Sequence, residues 1–106
     1  MENKRAQNSK MKQAHVFISG FVQGVGFRQF VKRKAQELHI AGWAKNLPDV
    51  RVEALFQGSK EKIQEVMLLC KKGSFLSQVD HVEIVWDSTI DSGQEIFEDF
   101  QISLEK

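Results

Sequence analysis

The sequence lacks the features that would place it in several common classes of protein. It contains a single cysteine, which cannot form an internal disulfide, and its three histidines show no metal-ligand spacing. No apolar run approaches the roughly 18 residues that a membrane-spanning helix needs. The scarcity of cysteine favours a reducing compartment. We therefore expect a cytoplasmic protein that binds no metal, needs no cofactor and does not contact a membrane.

The sequence also lacks an excess of charge of either sign. Fifteen basic and fourteen acidic side chains leave a formal net charge of +1, so overall charge provides no drive toward nucleic acid. A chain of 106 residues can form one core but not two. Residues 1–13 are polar and basic and lack the apolar stretch of a signal peptide. We predict a flexible basic tail over 1–13 and one domain over 14–106.

Hydrophobic periodicity predicts alternating strands and helices. Strands are expected over 15–20, 42–47, 50–56 and 82–86, with a short final strand over 100–104, and helices over 27–39 and 59–73. Pro48 and Asp49 mark a turn between the second and third strands, and Ser59 is a candidate N-cap of the second helix, which Gly73 ends. This order predicts an α+β, ferredoxin-like sandwich, β-α-β-β-α-β plus a short terminal strand, with two helices on one face of an antiparallel sheet.

The most informative segment, residues 18–28, reads Ile-Ser-Gly-Phe-Val-Gln-Gly-Val-Gly-Phe-Arg. Its glycines allow positive φ, so that successive amide N–H groups can converge on one anion, and the first turn of the following helix adds unpaired donors. Arg28 gains nothing from the helix dipole at that position and is a candidate phosphate ligand. The predicted phosphate-binding loop consists of Phe21, Val22, Gln23, Gly24, Val25, Gly26 and Phe27.

This segment resembles the first signature of the acylphosphatase family at every position. Gly42-Trp43-Ala44-Lys45-Asn46, with Val52 and Gly58, resembles the second signature at each fixed position except Val50, where the family usually has glycine. If the turn there needs a left-handed residue, valine costs roughly 1–2 kcal/mol, and the placement of Asn46 is affected. The resemblance covers residues 14–104 and implies a ferredoxin-like fold and hydrolysis of small acyl phosphates to carboxylate and inorganic phosphate.

The resemblance further implies that Arg28 binds the phosphoryl group and that Asn46 positions the attacking water, with no metal. So few groups suffice because the leaving group is a carboxylate with a conjugate-acid pKa of about 4, which departs without protonation. We expect inorganic phosphate to act as product and competitive inhibitor, and the protein to be a monomer. The physiological acyl phosphate is not marked by any residue.

Other interpretations remain open. The same fold occurs in non-catalytic anion- or RNA-binding modules, although residues 52–57 lack the basic Gly-aromatic pattern of RNA-recognition domains. An acylphosphatase-like module of a larger carbamoyl-handling protein would carry downstream cysteine pairs, which are not seen here. Arg28 could be a surface cation and Asn46 a turn residue. The histidines, Cys70, Phe17 and Phe21 are interpreted as structural or solvent-facing residues.

Overall fold

The structure, a computed structural model, describes residues 11–87 and 95–103. Within these ranges it contains a five-stranded sheet and two helices. The predicted ferredoxin-like architecture is confirmed. The strands are β1 (Lys12–Phe21), β2 (Ala41–Asn46), β3 (Val52–Gly58), β4 (Gln78–Asp87) and β5 (Phe100–Ile102), and the helices are α1 (Phe27–Glu37) and α2 (Lys60–Lys72).

The sheet has the strand order β4-β1-β3-β2-β5, and its last strand runs parallel to β2. The prediction of a wholly antiparallel sheet is therefore wrong for β5. The buried Phe100 ring stacks on Phe56, with ring centroids 5.7 Å apart, so the return of the chain to this edge is fixed by core packing. The predicted final position, Leu104, lies outside the described residues.

Strand β1 lies inside the sheet, between β3 and the edge strand β4. Its predicted alternation is confirmed, because Ala14, Val16 and Ile18 are fully buried. Lys12 and Gln13 already pair with β3, so the strand includes the last two residues of the predicted tail. The rest of that tail, residues 1–10, lies outside the described residues.

The core lies between the sheet and the helices. Helix α1 packs over β2 and β5, and α2 packs mainly over β4. Each helix presents an apolar stripe at helical spacing to the sheet. The buried core residues of the two helices are Phe27, Val31, Ala35, Ile63, Val66 and Cys70.

The C-terminal end of α1 forms a Schellman-type stop. The Ile40 N–H donates to the Ala35 carbonyl at 2.8 Å, and His39 takes a left-handed conformation with φ 58°. Helix α2 begins and ends as predicted. The Ser59 side chain accepts from the Lys62 N–H at 3.2 Å, and Gly73 follows the last turn.

Candidate active site

The loop that joins β1 to α1 is held at both ends by core side chains. Val22 and Phe27 are each 1% exposed. Between them Gly24 and Gly26 have φ of 78° and 76°, and a Cβ added to either would meet no atom within 4 Å. The loop is therefore anchored by its apolar residues and open along its glycines, which lets a ligand approach the backbone. Phe21, predicted to pack, is instead 62% exposed.

The N-terminus of α1 has no side-chain cap. Gly26 occupies the N-cap position, and the first turn contains no acidic residue. The first backbone bond of the helix runs from the Phe30 N–H to the Gly26 carbonyl at 3.1 Å. The uncapped N–H groups of the first turn and the positive end of the helix dipole make this helix end a place where an anion is favoured.

Arg28, in this first turn, extends toward the end of β5. Its Nη1 donates to the Ser103 carbonyl at 3.4 Å, and the Ser103 N–H in turn donates to the Ala44 carbonyl at 2.8 Å. No carboxylate within 11–87 and 95–103 forms an ion pair with Arg28. The interpretation of Arg28 as a surface cation paired with an acid therefore finds no partner in the described part of the chain.

Asn46 is the last residue of β2, two positions beyond Ala44. Its Oδ1 is buried, and no hydrogen-bond donor of the described residues reaches it. A buried acceptor without a partner costs about 1–3 kcal/mol, so such a group in a native structure needs an explanation. A hydrogen bond from a bound water to this oxygen would meet that need.

The turn that follows Asn46 contains the predicted anomaly. The Leu47 N–H donates to the Arg51 carbonyl at 2.8 Å, and the Val50 N–H donates to the Leu47 carbonyl at 3.1 Å. Val50 has φ 70° and is exposed. The turn thus requires a left-handed residue, and the β-branched Val50 costs about 1–2 kcal/mol relative to glycine.

Asp49 and Arg51 stabilise the same turn from outside. The Asp49 carboxylate accepts from the Arg51 backbone N–H at 3.2 Å and from its Nε at 2.9 Å. These hydrogen bonds from Arg51 lower the pKa of the Asp49 carboxyl below its usual value. Arg51 also lies over the Phe17 ring at 5.2 Å. The hairpin is therefore held to the face of the sheet that the two helices leave uncovered.

Gln23 joins the glycine loop to this hairpin, a contact that the sequence analysis missed. Its Nε2 donates to the Leu47 carbonyl at 3.0 Å and to the Arg51 carbonyl at 2.9 Å. The partners lie more than twenty residues away in the chain, and no local pattern signals them. The structure therefore brings loop and hairpin together, with Asn46 directly before Leu47.

Two cavities differ in their relation to this arrangement, and only the first borders the glycine loop. One of about 400 Å³ separates the glycine loop from the segment after α2, between Val25, Gly26 and Gly73–Leu76. The other, of about 460 Å³, is an apolar groove between α2 and β4. Neither is lined by Arg28 or Asn46.

The histidines and Cys70 are expected to be structural or solvent-facing. His15 contacts Glu53 at 3.0 Å, and His39 and His81 are exposed. Burial raises the pKa of the Cys70 thiol to about 12, which makes it a poor nucleophile. Within the described ranges no three His, Cys, Asp or Glu side chains are arranged to hold a metal, and no helix is long and apolar enough to cross a bilayer.

Comparison with known proteins identifies the family of the chain. A sequence model of the acylphosphatase family matches residues 14–102. The chain belongs to the acylphosphatase family. It is 46% identical to an acylphosphatase of Chloroflexus aurantiacus over 74 residues, which is 70% of this chain and 80% of that protein.

Solved structures give the same result. The crystal structure of acylphosphatase from Bacillus subtilis superposes with a TM-score of 0.79 at 34% identity, over 87% of this chain and 98% of that chain. HypF of T. kodakarensis, at 33% identity and a TM-score of 0.73, matches 89% of this chain with 12% of its own. The likeness therefore includes whole acylphosphatases and one part of a longer protein.

Proposed function

We propose that this acylphosphatase-family hydrolase works through an anion cradle and one oriented water. The cradle is made by the backbone amides of residues 21–27 and by the Arg28 guanidinium, and Asn46 orients the water. The observation that carries the proposal is the buried Oδ1 of Asn46, which no donor within 11–87 and 95–103 reaches, at the start of a hairpin hydrogen-bonded to the glycine loop.

The reaction needs little more than positioning. Water oxygen forms a bond to phosphorus while the bond from phosphorus to the carboxylate oxygen breaks, and the carboxylate leaves with the electron pair. The proton of the water passes to a phosphoryl oxygen. Charge on the phosphoryl oxygens is stabilised by the amides and Arg28, and Asn46 accepts a hydrogen bond from the water and fixes its approach. In this proposal no metal takes part.

Hydrolysis of benzoyl phosphate in the presence of a chelator tests the proposal. We expect full activity with the chelator, and an Asn46→Ala variant with a much lower kcat and nearly unchanged inhibition by inorganic phosphate, since the cradle is intact. Activity that depends on added Mg²⁺ or Zn²⁺ would contradict the metal-free mechanism. Loss of phosphate binding with normal turnover in Asn46→Ala would contradict the assigned role.

The proposal extends to the product and to other partners. Inorganic phosphate fits the same cradle, so we expect competitive inhibition. The aromatic rings on the uncovered face are occupied by cations of the chain itself, with Lys45 over Trp43 at 5.3 Å and Arg51 over Phe17, which disfavours base stacking. We infer a cytoplasmic monomer that binds no nucleic acid, which size-exclusion chromatography, cell fractionation and an RNA-binding assay check.

A further inference from the structure

Gln23 is a member of the glycine loop, yet its side chain does not face an anion site. Both hydrogens of its amide nitrogen are directed at carbonyls of the hairpin, at 3.0 Å to Leu47 and 2.9 Å to Arg51. An amide nitrogen has two donors, so neither is left for a phosphoryl oxygen. The side chain of Gln23 thus binds other parts of the protein, whereas its backbone N–H can still belong to the cradle.

The two carbonyls lie on opposite legs of the hairpin turn. The Leu47 carbonyl also accepts from the Val50 N–H, and the Arg51 carbonyl also accepts from the Leu47 N–H. Gln23 therefore completes a closed network of four hydrogen bonds across the turn. The network ends at Leu47, the residue directly after Asn46, so one side chain links the loop that holds the anion to the strand end that holds the water.

We propose that Gln23 is a positioning residue that sets the distance between the cradle and Asn46. In-line attack requires the water and the phosphorus to be held in near-attack geometry, and a misplacement of about 1 Å can cost about 10² in rate. The inference rests on the proposed function, because it assumes that Asn46 orients the water.

Val50 makes this positioning more important in this chain. A β-branched residue at φ 70° favours other turn conformations, and the two hydrogen bonds from Gln23 oppose that tendency. With glycine at position 50 the turn would hold its shape unaided. The contribution of Gln23 to turnover should therefore depend on which residue occupies position 50.

The experiment combines Gln23→Met, which keeps the length of the side chain but removes both donors, with Val50→Gly. We expect Gln23→Met to lower kcat for benzoyl phosphate about tenfold, and the inhibition constant of inorganic phosphate to change less than about threefold. In the Val50→Gly background the same substitution should lower kcat at most about threefold. In Gln23→Met, faster hydrogen exchange at the Leu47 amide should accompany the loss of kcat.

Gln36→Met, at an exposed position of α1, is the matched control and should leave kcat unchanged. Gln23→Asn, one methylene shorter, serves if Gln23→Met does not fold, and should reproduce the kcat loss because its amide falls short of the carbonyls. Three results would overturn the inference: a phosphate inhibition constant that rises in parallel with the fall in kcat, a kcat loss of equal size in both backgrounds, or a lower melting temperature with unchanged kcat. If the wild type is active but Asn46→Ala has the same kcat as the wild type, the proposed function fails instead.

Discussion

The two helices of this protein begin in opposite ways. At the start of α2 the Ser59 side chain accepts a backbone N–H, and Glu61 lies in the first turn, so the chain itself satisfies the donors and the dipole. At the start of α1 no side chain caps the helix, and a cation, Arg28, stands where an acid would be favourable. The N-terminus of α2 is thus satisfied by the chain itself, whereas the uncapped N-terminus of α1 is what the proposed anion cradle requires.

The largest expected effect comes from altering the cation at the open N-terminus. Arg28→Lys keeps the charge but loses the planar fork, so we expect kcat/KM for benzoyl phosphate to fall at least about 10²-fold. The melting temperature should be nearly unchanged, because Arg28 is half-buried outside the core. Arg33→Lys, exposed on the same helix, is the control and should retain activity. Full activity of Arg28→Lys would show that the guanidinium of Arg28 is not needed to bind the phosphoryl group.

A smaller effect is expected if the open N-terminus is given an acidic group like that of α2. Gly26→Asp places a carboxylate at the cradle, where a Cβ has free space. Unit charges about 4 Å apart repel by about 4 kcal/mol at an effective dielectric of about 20, so the inhibition constant of inorganic phosphate should rise at least about tenfold. Gly26→Asn is the neutral control, with a similar tolerance for a left-handed residue. Equal inhibition constants for the two variants would place the anion elsewhere.

Removal of the cap from α2 tests the other half of the comparison. Ser59→Ala should lower the free energy of unfolding by about 1 kcal/mol, measured by urea denaturation, with kcat unchanged below the transition. Ser59→Asp, which can still accept the Lys62 N–H, should retain most of the stability. A loss of kcat in Ser59→Ala that exceeds the loss of folded protein would show that α2 contributes to the site.

The smallest effect near neutral pH concerns Cys70, on the buried stripe of α2. Its pKa is raised to about 12 from an ordinary value of 9.0, so between these values the unfolded chain binds fewer protons and stability falls as pH rises. The slope is at most about 1.4 kcal/mol per pH unit, and below pH 9 the thiol contributes no pH dependence. Unfolding of Cys70→Val between pH 8 and 11 should lack this part of the slope. Rapid alkylation of native Cys70 would contradict its burial.

Much of the fold was predictable because its signals are local. Alternation along β1 and the stripes of both helices identified the buried faces, since a side chain's direction follows from its position in the period. Ser59 and Gly73 marked the ends of α2 for the same reason. The predicted ends of β2 and β3 were less accurate, because the hydrogen bonds of the turn, and not the apolar pattern, decide where the hairpin closes.

The sequence predicted which residues belong to the candidate site but not the contacts that they make. The glycine loop, Arg28 and Asn46 were identified by motif, and their catalytic roles stay predictions. Val50 was recognised as unusual, but whether its φ would be positive depended on the turn actually formed. The contacts of Arg28 with Ser103 and of Gln23 with Leu47 join segments far apart in the chain.

By itself the sequence determined most of the buried positions of β1 and of the two helices, where the helices begin, and that the first turn of α1 would add unpaired donors, since each of these depends on residues within a few positions of one another. Only the tertiary structure decided that β5 runs parallel to β2, that Gln23 donates to the hairpin, and that Asn46 Oδ1 is buried with no donor among the described residues. The physical reason is that burial and hydrogen bonding between distant segments depend on how the whole chain packs, and no local periodicity records that arrangement.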